Sequence, residues 1–164
     1  FFTANSAIVA AETASDQLTA SYLAQEGIEY VRLMRDNEYL AAYSVGGTDI
    51  STTAWDNFLT GSNAASITQC RATTCTLDPS RDMGSGSGLS LQPCSGASCM
   101  PLYLANGIYT QRSDIVGATR TPFTRTVRAI DITANEESIV SSVSWSFHGV
   151  PYSVTITDHL TLWQ

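Results

Sequence analysis

The sequence predicts an α+β chain, with one long N-terminal α-helix packed on a C-terminal antiparallel β-sheet and a disulfide-containing loop region between them. Three observations carry that expectation. Residues 18–40, LTASYLAQEGIEYVRLMRDNEYL, repeat apolar side chains at three- and four-residue steps. The segments with strand character all come after them. The four cysteines fall in the Gly-, Ser- and Pro-rich stretch that separates the two regions. At 164 residues and 43% hydrophobic content, the chain fits one modest core. Residues 1–43 read as the helix, its first part projecting as an assembly segment, and 44–164 as a head packed on it.

The helical pattern runs from about Ala4 to Ala41, with no Pro and only Gly27 to weaken it. Ala20, Leu23, Ala24, Gly27, Ile28, Val31 and Met34 form one apolar stripe. Gln25, Glu26, Glu29, Arg32 and Asp36 fall mainly on the other side, with Glu29–Arg32 and Arg32–Asp36 at ion-pair spacing. Ahead of Leu18 the face is thinner and built from Ala7, Ile8, Ala11 and Ala14. A helix of ~37 residues is about 55 Å long, more than a head of this size covers. Its first half is therefore expected to project or to meet another chain. Two helices broken near Ser15 are the alternative.

Val45-Gly46-Gly47-Thr48 reads as a turn. Thr52 or Thr53 can cap a short helix that carries Trp55, Phe58 and Leu59 and stops at Gly61. Residues 62–100 read as loop. Segments 102–110, 123–132, 139–147 and 152–162 are rich in β-branched and aromatic residues, and Gly149-Val150-Pro151 is placed in a hairpin turn. Val143 and Trp145 alternate with Ser, and Ile156 alternates with Thr, so these three are the expected partners of Leu23, Gly27, Ile28, Val31 and Met34. An aspartate in place of Val31 is then expected to unfold the domain, and the same change at Glu26 to do almost nothing.

Eight Arg and no Lys stand against fifteen Asp plus Glu, a net charge of −7. Such a surface repels phosphate backbones, so nucleic acid is not an expected partner. No run of 18 apolar residues is present, and FFTANSAIVAAE lacks the basic segment of a signal peptide. Ser and Thr make up 40 residues, a composition that suits a secreted or surface protein.

The cysteines form two matched pairs, 70-CRATTC-75 and 94-CSGASC-99. An even count in a loop-rich region reads as two disulfides and an oxidising compartment. A four-thiolate zinc site mostly uses tighter, two-residue gaps. Pairing within each short loop, Cys70–Cys75 and Cys94–Cys99, competes with the nested Cys70–Cys99 and Cys75–Cys94; the balance tips slightly to the local pairs.

Candidate chemistry is thin. Asp78 and Asp82 beside several glycines could offer oxygens to calcium, though not at EF-hand spacing. His148 and His159 lie in or beside strands, with no G-x-S-x-G elbow near any Ser. The string 84-GSGSG-88 lacks the Lys of a phosphate loop, and Tyr22, Tyr30, Tyr39 and Tyr43 read as packing residues. No catalytic residue, cofactor or metal is expected, and the chain is read as a non-enzyme.

The run 16-DQLTASYLAQEGIEYVRLMRDNEYL-40 resembles the helix of bacterial type IV pilins and pseudopilins, in particular the minor-pilin-like group. The segments 102-LYLANGIYTQ-111 and 123-FTRTVRAI-130 look like the same family, and 143-VSWSFHGVPYSVTITDHLTLWQ-164 is similar to its closing hairpin. The order of these matches is more specific than any one of them, and the Cys-containing middle is the least characteristic. The family's Gly-Phe-Thr-Leu-Ile-Glu-like start and the apolar segment behind it are not among these residues; Phe1-Phe2-Thr3-Ala4 would lie beyond them. The resemblance implies a structural subunit of an extracellular type IV pilus or related secretion filament. It implies partners that are other pilin subunits, and a membrane anchor before assembly only through that N-terminal segment. Ala7, Ile8, Ala11, Ala14 and Leu18 would then be assembly residues. The alternative is an adhesin-like binding module or filament tip subunit that reads a ligand with its disulfide loop.

Overall fold

The structure is a computed structural model that describes residues 2–61, 65–81 and 90–162, with side chains from residue 6 onward. Helix α1 runs unbroken from Phe2 to Val45, 44 residues or about 66 Å. There is no break near Ser15. Gly46 ends it with a positive φ of 76° and returns its amide to the Ala42 carbonyl at 3.1 Å. Helix α2, Ile50–Thr60, is capped by Asp49, whose carboxylate accepts from the Thr52 amide; neither expected threonine caps it. Gly61 closes it in the left-handed conformation, as the sequence suggested. Trp55 and Phe58 are buried, and the Trp55 indole N–H donates to the Ala134 carbonyl at 2.8 Å, tying α2 to the sheet.

The stretch read as loop holds more structure than expected. Helix α3 spans Gln69–Ala72, strand β1 Thr74–Leu77 and strand β2 Leu91–Cys94, with a single 3-10 turn at Gly96–Ser98. β1 and β2 pair antiparallel and extend the main sheet. Strands of four residues are too short to show an alternation.

Residues 102–110 form a miniature hairpin, β3 (Tyr103–Ala105) and β4 (Ile108–Thr110), and β5 (Thr119–Arg120) completes a small second sheet. Asn106 and Gly107, both at positive φ, make its two-residue turn. The long strands are β6 (Thr124–Thr133), β7 (Glu136–Phe147) and β8 (Val150–Thr161). The main sheet has the order β2-β1-β6-β7-β8, with every pairing antiparallel. The β7–β8 turn is His148-Gly149, at φ 49° and 82°; Val150 and Pro151 belong to β8, whose outer edge tolerates the proline.

One face of this sheet carries α1. The chain is α+β: a long N-terminal helix on an antiparallel sheet, braced by two disulfides. Two apolar clusters fill the contact. Ala20, Leu23 and Ala24 share one with Leu102, Phe123, Val143 and Trp145. Ile28, Val31 and Met34 share the other with Val127, Ala129, Ile139 and Leu160. Each fully buried Val, Leu, Ile, Phe or Met among them contributes about 1.5–3 kcal/mol.

Candidate functional site

The candidate surface is α1 itself, which changes character along its length. From Ser6 to Thr19 no side chain is buried, and Ala20 is the first to be. Ala7, Ile8, Ala11, Ala14 and Leu18 are all exposed, Ile8 and Leu18 each by 57%. On an ideal helix these five fall within about a third of the circumference, so they form one strip. The strip is narrow, and four of its members are alanine or a single β-branched residue. Backbones can approach closely there.

After Ala20 the helix is built into the head. Leu23, Gly27, Ile28, Val31, Met34, Val143 and Trp145 are buried as expected. Ile156 is only half-buried and packs against both clusters from the edge strand, so it is a border residue and not a central one. Gly27 sits where a Cβ would collide with the Ser141 hydroxyl and press on Ser141 Cβ at 3.3 Å. Glycine suits the position because a side chain there would have to displace Ser141's.

Charge organises this contact in a way the helix pattern hid. The sheet face beneath the helices carries four charged residues among its apolar ones, Arg125, Asp131, Glu137 and Asp158, and each is held by a helix. Arg125 on β6 is fully buried. It ion-pairs with Glu26 of α1 and donates to the carbonyls of Leu23 at 3.1 Å and Leu77 at 3.0 Å. Glu137 on β7 takes a two-pronged contact from Arg71 of α3, at 3.0 and 2.6 Å. Asp158 on β8 receives Arg32 Nε at 2.9 Å. These hydrogen bonds raise the pKa of Arg71 and of Arg32 above the ordinary arginine value.

Glu26 and Arg32 had been placed on the solvent side. Arg32 does pair with Glu29 at 2.9 Å, but its expected partner Asp36 pairs with Arg35 instead. Glu26 is therefore not a free solvent-side residue: it supplies the counter-charge of a buried guanidinium, which an aspartate would keep as a carboxylate and an alanine would remove. A signal was present in the sequence. Arg125 keeps step with Phe123, Val127 and Ala129, Glu137 with Ile139, and Asp158 with Ile156 and Leu160.

The cysteines pair locally. Cys70–Cys75 is buried between α3 and β1, with Cα atoms 5.4 Å apart. Cys94–Cys99 closes the end of β2 over the 3-10 turn, at 4.9 Å. Beside the second bond lies a polar cleft of about 210 Å³ lined by Thr76, Arg81, Gln92, Ser98 and Gln111.

Asp78 is buried, and its carboxylate oxygens are taken up by protein donors: Ser80 N and Oγ, Thr110 Oγ1, the Gln111 amide and Arg81. It latches the turn after β1 to β4 and is not arranged as a calcium ligand. Asp82 and 84-GSGSG-88 lie outside the described residues. Among the described residues no three His, Cys, Asp or Glu side chains converge as a metal site. His148 occupies the turn after β7, and His159 Nδ1 lies 2.6 Å from Glu136 Oε1 on the exposed sheet surface. Tyr30 is a core residue, whereas Tyr22 and Tyr43 stand exposed.

No described helix is long and apolar enough to cross a membrane. No family model matches the chain, and neither a curated protein nor a solved structure matches it.

Proposed function

We propose that the chain is a structural subunit, a pilin, of an extracellular type IV pilus or related secretion-type filament. The observation that carries this reading is the division of α1: about 27 Å of unbroken helix precedes Ala20 with no side chain buried from Ser6 to Thr19, while the rest is built into the head. A free helix of this kind is stabilised by burial against others like it, at about 25 cal/mol per Å² of apolar area before the cost of association. Ala7, Ala11 and Ala14 let neighbouring helices approach, and Ile8 and Leu18 supply the larger apolar contacts. The resemblance of residues 16–40 and 143–164 to the type IV pilin family points the same way. Here α1 is the assembly element and the sheet the outward-facing head; no catalytic role is proposed.

Electron microscopy of native surface filaments, labelled with antibodies to this chain, tests the reading. Label along the filament length is expected. Absence of label on every filament would overturn it. The polar cleft beside Cys94–Cys99 favours one second reading, a tip subunit that binds a ligand there. Label confined to filament ends would select it.

A further inference from the structure

Strand β8, Val150–Thr161, is the outer strand of the main sheet, and its 12 residues run without a bulge. A free edge of that length is usually blunted by lysine, a bulge or a covering loop. The chain has no Lys, and among the described residues only Arg35 bonds to the outward backbone of this edge. Which backbone groups face outward follows from the register. The two-residue turn His148-Gly149 makes Phe147 and Val150 a hydrogen-bonded pair, so the even-numbered residues of β8 bond to β7. The odd-numbered ones, Pro151, Ser153, Thr155, Thr157, His159 and Thr161, turn their backbone groups to the open side, and all six are exposed. Two of those groups are out of use. Pro151 has no N–H, and the Thr161 carbonyl already accepts from Arg35 Nη1 at 3.4 Å.

We infer that β8 pairs antiparallel with β8 of a second copy, about a two-fold axis at Ile156, joining two five-stranded sheets edge to edge. In this register the edge is self-complementary. Pro151 faces Thr161 of the second copy, so the missing donor meets the acceptor already in use. The groups left over, the Pro151 carbonyl and the Thr161 N–H, bond to each other. Ser153 pairs with His159 and Thr155 with Thr157, for about ten hydrogen bonds in all. Moving the axis to Thr155 sets Pro151 against the free His159 carbonyl; moving it to Thr157 sets the Ser153 N–H against the occupied Thr161 carbonyl. A strand from another protein could meet the same edge, but only a second β8 matches both of its defects. On the helix side Ile156 meets Ile156 and Tyr152 meets Leu160, where Ile156 and Tyr152 are left half-buried at the edge of one copy. Val154 faces Asp158, whose carboxylate stays with its own Arg32. No like charges are opposed. Each α1 is seated over β7 and β8, and with strands about 4.8 Å apart the two helices come to about 10 Å, an ordinary packing distance. The pairing does not rest on the filament reading, which concerns the helix before Ala20.

Sedimentation equilibrium of the purified chain, from about 1 μM to about 1 mM, should show monomer and dimer exchanging with concentration. Amide hydrogen exchange at the two ends of that range should slow on dimerisation at Ser153, Thr155, Thr157 and His159, while Val154 and Ile156 are protected throughout. Thr157→Pro removes an N–H that bonds to nothing in the single copy, so its Tm should stay close to the parent while self-association weakens at least about tenfold. A monomer at the highest concentration would leave the edge to some other strand and overturn the inference. So would a dimer in which those four amides exchange as fast as in the monomer, or one indifferent to Thr157→Pro. Register is read by mixing a Thr155→Cys protein with a Thr157→Cys protein and adding a short thiol-to-thiol crosslinker. A product joined mainly through 155 and 157 is expected; one dominated by 155–155 or 157–157 links, or none at all, rejects the axis at Ile156.

Discussion

Between Ala20 and Ala42, helix α1 loses a side chain to the head at every third or fourth position, whereas from Ser6 to Leu18 it loses none. The backbone is the same helix throughout. The anchored half is held by two apolar clusters and two ion pairs to the sheet. The free half has only helix propensity, for which Ala7, Ala10, Ala11 and Ala14 are well chosen. An isolated helix of that length is marginal in water, because its first turn is costly to form. Grown from an anchored helix, it needs no nucleus of its own. Regular structure therefore extends beyond the region that stabilises it.

Substitutions can break or sharpen that contrast. The largest effect is expected at Val31, fully buried on the anchored half. Val31→Asp buries an unpaired carboxylate and should leave no cooperative thermal transition, since the cost of several kcal/mol approaches the whole stability of such a domain. A variant that still melted near the parent temperature would mean the stripe is not core.

Glu26→Ala comes next. It removes the counter-charge of the buried Arg125. Glu26 is itself partly solvated, so the expected loss is about 2–3 kcal/mol, or roughly 5–10 °C in Tm. Restoring the melting temperature with Glu26→Ala/Arg125→Met would identify the unpaired guanidinium as the cause. An unchanged Tm in the single variant would return Glu26 to the solvent face.

Gly27→Ala sets two terms against each other. Helix propensity favours alanine by about 1 kcal/mol, while the added methyl collides with Ser141 on β7. A net loss of about 1 kcal/mol is expected in chemical denaturation. A gain in stability would show that β7 yields easily at this point.

The smallest effect is expected on the free half. Ile8→Asp should leave the stability of the purified chain within about 0.5 kcal/mol of the parent, because the site is exposed. On the filament reading, the same change should abolish incorporation into filaments in cells. A drop in Tm would show that the first turns of α1 touch the head after all.

Much of this architecture is legible in local pattern. The 3.6-residue period marks α1 and the side it buries, and the two-residue period of Val143, Trp145 and their neighbours marks the sheet face that receives it. The left-handed stop at Gly61 is equally local. These features depend on residues within a few positions of one another, so a single sequence contains them.

Other features exist only once distant segments meet. The four-residue strands β1 and β2 are too short to carry a period, and their place beside β6 is set by pairing across more than fifty residues, as between Cys75 and Val127. The choice of local over nested disulfides follows from where α3 and the 3-10 turn bring each pair of Cα atoms. The same holds for Glu26, whose helical position points outward by count yet whose carboxylate reaches Arg125, 99 residues away in the chain. Periodicity tells which side of an element is apolar. It does not tell which charges on the facing element need a partner, because that depends on the register of the sheet beneath the helix, and register is decided only when the whole core closes.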